Sequence, residues 1–192
     1  MTFYSGIYLE REQVVVRAAE PDDATLISTY FSDNREYLKP WEPTREADFF
    51  TPFGWQKKLV KLHELHKLGL GYYLLIIDAR DQSMLGTISF SNLTRYPLYA
   101  CTVGYSLAQT AQGRGIMRQA LLMACQYMFE VQNMHRIQAA YMPKNARSEN
   151  VLKALGFVQE GLAKDYLLID GHWQDHVLVS LVNSNWKMNQ TL

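Results

Sequence analysis

The sequence predicts an α/β fold of the α+β kind, with a mostly antiparallel sheet and flanking helices. Three observations carry this. Three strand-like runs between Tyr72 and Tyr105 follow one another with no helix between them, which argues against a doubly wound parallel sheet. An amphipathic helix and a further strand then follow, in the order β-α-α-β-β-β-α-β-α-β-β for the whole chain. Between that third run and the helix stands Gln112-Gly113-Arg114-Gly115-Ile116-Met117, a glycine turn where a strand hands over to a helix N-terminus.

At 192 residues, 48% of them hydrophobic, the chain has material for one core, so a single domain over 1–192 is expected, its core about 14–183. Nineteen basic residues balance nineteen acidic ones, which gives no general attraction to nucleic acid or to a membrane. No charged-then-apolar leader and no apolar run near 18 residues stands in the sequence, so the expectation is a cytoplasmic protein. Cys101 and Cys125 read as two buried free thiols.

Val14-Val15-Val16-Arg17 is the first expected strand. Pro21-Asp22-Asp23 opens a helix with acidic residues in its first turn, and Leu26, Ile27, Tyr30 and Phe31 give it an apolar face. From Asn34 to Pro43 two prolines argue against a regular element, leaving a stiffened loop that presents Tyr37, Trp41 and Glu42. Helical spacing returns from Phe53 to Leu68. Its His63 and His66 surround one glutamate, but His-Glu-x-His lacks the i, i+4 spacing of a zinc helix, so no metal is expected.

Strands follow at Tyr72–Ile77, Met84–Asn92 and Tyr99–Tyr105. Met117, Ala120, Leu121, Ala124 and Met128 make one helical face. His135–Met142 is the fifth strand, Pro143 ends it, and Asn145 caps a helix that Gly156 stops. A long strand from Phe157 to Ile169 turns at Asp170-Gly171 and returns over His176–Val182.

The glycine turn has a chemical reading of its own. Its free N–H groups, the positive helix end and Arg114 suit a phosphate or diphosphate. It is neither a Walker loop nor the dinucleotide fingerprint, whose third glycine would fall at Arg118. The turn resembles the coenzyme A pyrophosphate loop of the GNAT superfamily of N-acetyltransferases, although Met117 stands where a small residue is usual. Asn145-Ala146-Arg147-Ser148, followed by Leu155-Gly156-Phe157, resembles the Asn-x-x-Ser…Gly-Phe signature of its protein N-terminal branch. Leu38–Pro43, Gly54-Trp55-Gln56, Phe90-Ser91-Asn92, Val103–Ser106, His135-Arg136-Ile137, Tyr141-Met142-Pro143 and Ala163–Gly171 are similar to one family, the ribosomal-protein N-terminal-alanine acetyltransferases.

That resemblance implies a mixed sheet splayed between the fourth and fifth strands. It implies acetyl-CoA as co-substrate and transfer to the N-terminal alanine of a small-subunit ribosomal protein, with the small ribosomal subunit as partner. Leu107, Ala108, Gln112, Gly113, Arg114, Gly115, Ile116, Met117 and Asn145 would hold the coenzyme, with Asn145 on the pantetheine arm. A backbone N–H near Leu107 or Ala108 would polarise the thioester, and Ser148 would stand near the departing sulfur and donate its proton. Many superfamily members carry a glutamate two residues before Gly104; here that place is Thr102, so Glu42 is taken as the proton acceptor, with Asp165 and Asp175 as alternatives. Tyr37, Trp41, Tyr166 and Trp173 are the expected peptide contacts. Two other readings remain open: a small-amine acetyltransferase, and a ribosome assembly factor that keeps the fold without turnover.

Overall fold

The computed structural model describes residues 6–188. Its strands are β1 (Tyr8–Arg11), β2 (Val14–Ala18), β3 (Tyr72–Asp78), β4 (Met84–Thr94), β5 (Ala100–Leu107), β6 (Arg136–Tyr141), β7 (Val158–Ile169) and β8 (His172–Val182). The helices are α1 (Ala24–Asp33), α2 (Arg35–Leu38), α3 (Pro52–Lys67), α4 (Ile116–Glu130) and α5 (Ala146–Ala154).

One sheet runs in the order β1-β2-β3-β4-β5-β6-β8-β7. Successive strand side chains point to opposite faces, yet Val14, Val15 and Val16 are all buried, so both faces of the sheet are covered there. Helices α1 and α3 pack together, against β4 and β3 respectively, while α4 packs on β1, β2 and α5. Phe31 stacks on Trp55 with ring centroids 5.4 Å apart, and the Trp55 indole N–H donates to the Phe49 carbonyl at 2.7 Å. That bond fixes the turn over Ala47–Phe50 that leads into α3.

Every neighbouring pair is antiparallel except β5 with β6. Those two pair only at Ala100–Arg136, Cys101–Ile137 and Thr102–Gln138, and beyond Thr102 they part. This is the expected splay; the expected fourth and fifth strands are β5 and β6 because β1 precedes them.

Two elements differ from expectation. Strand β1 is a four-residue edge whose tight turn to β2 places Glu12 at φ 55°, a turn without the glycine that would announce it. The segment from Asn34 to Pro43 is not irregular: α2 is followed by a 3-10 turn over Lys39–Trp41. Pro40 falls in the first turn, where its missing N–H costs no bond.

Candidate active site

The site is built where β5 leaves the sheet. Residues along an antiparallel strand direct their backbone groups alternately toward and away from the partner. Ala108 N–H donates to the Leu85 carbonyl at 2.8 Å, so Ala108 and Ser106 face β4, while Leu107 and Tyr105 direct their N–H groups into the gap toward β6. The Ala108 N–H is therefore committed to the sheet, which leaves Leu107, the other of the two expected donors, to polarise a carbonyl. The Gln112 side chain closes this strand end, donating to the Leu107 carbonyl at 3.2 Å and the Ala108 carbonyl at 3.4 Å.

Gly113 and Gly115 both sit at φ 73°, and a Cβ on either would meet no protein atom within 4 Å. Left-handed backbone accounts for the glycines, and the open space beside them leaves the loop accessible to a ligand. Gly115 is the N-cap of α4, and the first helical bond runs from Gln119 N–H to its carbonyl at 3.1 Å. The N–H groups of Ile116, Met117 and Arg118 precede that bond and have no acceptor within the helix. The Ile116 and Met117 side chains are buried, so the large residue at 117 fills the core rather than the loop. Arg114 lies 3.9 Å from Asp78, which also takes two bonds from the Arg80 guanidinium.

A cavity of about 290 Å³ occupies the gap, with Trp41, Glu42, Tyr105, Leu107, Asn145 and Ser148 on its wall. Asn145 caps α5, its Oδ1 accepting from Ser148 N–H at 3.1 Å, which leaves its amide NH2 for another partner. The Ser148 hydroxyl is 2.7 Å from the Tyr105 hydroxyl. Arg147 donates to the Tyr37 hydroxyl at 2.9 Å. The Glu42 carboxylate lies 3.4 Å from Arg45, and burial raises it above the usual carboxylate range. Thr102 pairs with Ser91 and Gln138 in the closed part of the sheet.

Two expected peptide contacts stand off this wall. Trp173 is 62% exposed opposite Leu168, and it faces away because the alternating neighbours Leu167 and Ile169 line the cavity. Tyr166 is 44% exposed, its ring 5.6 Å from His176. Asp175 accepts from Lys164 at 2.6 Å and from the Asp165 backbone N–H at 3.0 Å within the hairpin, and neither aspartate is on the cavity wall.

Tyr105, Arg147 and His176 line the cavity and were not singled out from the sequence. For Tyr105 the signal was the strand alternation that places it on the same face as Val103 and Leu107. His176 is buried with Nδ1 2.9 Å from the Gln174 carbonyl; a carbonyl only accepts, so Nδ1 donates there. Burial pushes the Cys101 thiol up to about 12 and the Cys125 thiol higher still, so neither is a nucleophile. Among the described residues no group of three or more His, Cys, Asp or Glu is placed to hold a metal, and no helix is long and apolar enough to cross a membrane.

Residues 13–158 match the acetyltransferase (GNAT) domain family. The chain is 44% identical over 180 residues to the ribosomal protein uS5-alanine N-acetyltransferase of Escherichia coli K12, covering 94% of this chain and 93% of that protein. The structure of ribosomal-protein-S5-alanine acetyltransferase from Vibrio fischeri aligns with a TM-score of 0.92 at 49% identity, over 95% of this chain and 100% of that one. Mycobacterium smegmatis RimJ in complex with CoA-disulfide aligns with a TM-score of 0.83 at 31% identity, over 88% of this chain and 81% of that one.

Proposed function

The chain belongs to the GNAT acetyltransferase family, and from that premise we propose that it transfers acetyl from acetyl-CoA to the N-terminal α-amine of a ribosomal protein, at alanine. The relatives from E. coli and Vibrio fischeri act on the alanine of a small-subunit protein, uS5 or S5, which favours the small subunit as partner and the cytoplasm as location. The observation that carries the reading is one cavity walled by the outward backbone of Leu107, by Asn145 and by the Tyr105–Ser148 pair, with the glycine loop beyond the end of the same strand.

The backbone donors from Gly113 to Met117 take the pyrophosphate, and the free amide of Asn145 takes the pantetheine arm. The α-amine, with a pKa of about 7.7–8.0, is already roughly one-tenth neutral at pH 7, so a modest base suffices. Glu42 draws the ammonium in and takes its proton through water; burial makes it a stronger base than an exposed glutamate. Leu107 N–H receives the oxyanion as the amine attacks, a contribution of about 2.7–4 kcal/mol for one well-placed donor. Ser148 faces the sulfur as the C–S bond breaks.

Trp41 and Tyr37 narrow the entrance to small first residues. Glu42 is the one carboxylate on the cavity wall among the described residues, and Arg45 already shares it, so little there would hold a polycation such as a polyamine. Incubation with acetyl-CoA and peptides of differing N-termini, read by mass spectrometry, tests the reading. Acetylation of alanine-started peptides supports it, and transfer to none removes it.

A further inference from the structure

We propose that Tyr105 is a positioning residue: it donates to the Ser148 hydroxyl across the gap between β5 and β6 and so aims the serine O–H at the departing sulfur. The inference rests on the acetyl-transfer reading above.

The two hydroxyls come from elements that the sheet does not join. Tyr105 stands on β5 beyond its last pair with β6, and Ser148 stands in the first turn of α5. They meet at 2.7 Å, and the Tyr105 oxygen is also 3.4 Å from the Ser148 carbonyl. A carbonyl only accepts, so the tyrosine hydrogen is directed to the Ser148 side. A phenol is also the stronger acid of the pair, which makes Tyr105 the natural donor and Ser148 Oγ the acceptor. The serine hydrogen is then spared for the cavity. Without that partner, a serine in the first turn of a helix is drawn to nearby backbone groups instead.

The chemistry limits what the pair does. Burial raises the Tyr105 phenol above its ordinary value, so it keeps its proton. A thiol has a pKa of about 8.5, so a thiolate does not hold a proton taken from either hydroxyl. When the C–S bond breaks, the electron pair stays on sulfur and is met by O–H···S⁻ from Ser148. The proton that completes the thiol is the one the amine released, carried by water. Tyr105 raises the rate by holding Ser148 in the one orientation that serves the thiolate and by polarising its O–H.

A double-mutant cycle on the single-turnover rate with an alanine-started peptide tests this. Tyr105→Phe removes one oxygen and keeps the ring. It is expected to lower the rate roughly 3- to 10-fold with KM for both substrates unchanged. In a Ser148→Ala background the same change is expected to cost nothing further, since Tyr105 acts only through Ser148. A Tyr105→Phe rate equal to wild type overturns the inference, as does an equal loss in both backgrounds. A variant that melts early and is no longer stabilised by coenzyme A places Tyr105 in the fold and overturns it too. Failure of the wild type to acetylate any amine would instead remove the functional reading.

Discussion

The Asp170 N–H donates to the Glu42 carbonyl at 3.2 Å, binding the tip of the β7–β8 hairpin to the loop that carries the proposed proton acceptor. Glu42 is thus held by its backbone while its carboxylate, 19% exposed, stays beside Arg45. Its raised pKa means that the folded protein binds the proton more tightly than the unfolded chain. Stability therefore falls as pH climbs from the ordinary carboxylate value through the raised one, and Glu42 is a net cost at neutral pH. Glu42→Gln is expected to lower kcat/KM at pH 7 about 10- to 100-fold, with part recovered above pH 8, and to melt no earlier than wild type. An unchanged rate across pH would remove the proton-acceptor role from Glu42.

Gly115→Val forces a β-branched residue into left-handed backbone at a cost of about 1–2 kcal/mol and puts a side chain where the loop is open. Coenzyme affinity measured by calorimetry should fall roughly 10- to 100-fold. Equal affinity in the variant and wild type would detach the loop from coenzyme binding.

Ser148→Ala should lower kcat on the order of 10–100-fold with little change in peptide KM, because the serine serves a charge that exists only as sulfur departs. A raised KM with kcat intact would make Ser148 a binding residue.

Asp78 accepts from the Arg80 guanidinium at 2.7 and 2.9 Å and from its backbone N–H at 3.0 Å, which brings its pKa down to about 2. A depressed carboxylate stabilises the fold above the unfolded value near 3.8, and that contribution is lost as pH falls through 2. Asp78→Asn should melt earlier than wild type at pH 7, with the gap closing toward pH 2. It also frees Arg114, so a changed coenzyme affinity would show that Asp78 steers the loop. A gap that stays constant with pH would assign the loss to packing.

Most of this arrangement was legible because periodicity and punctuation agree. The run from Val14 to Val16, the helical stripe from Met117 to Met128 and the Asp170-Gly171 turn each fell where expected. Strand β1 was hidden because Glu10 and Arg11 carry no strand signal and the turn lacks glycine. Aromatic type led to Trp173 but not to its side of the hairpin, since one step along a strand reverses the face. Tyr105 and His176 were missed because their roles come from partners distant in sequence or from burial, which no local spacing records.

The most direct measurement gives the protein acetyl-CoA with an alanine-started peptide that also contains an internal lysine, with spermidine in the same tube, and maps the acetyl groups by mass spectrometry. A lysine ε-amine has a pKa of about 10.4 and is neutral far less often at pH 7 than an α-amine. The expected result is acetylation at the alanine α-amine alone, with lysine and spermidine unmodified. Comparable rates on the lysine side chain or on spermidine would contradict N-terminal specificity and favour a small-amine or general amine acetyltransferase.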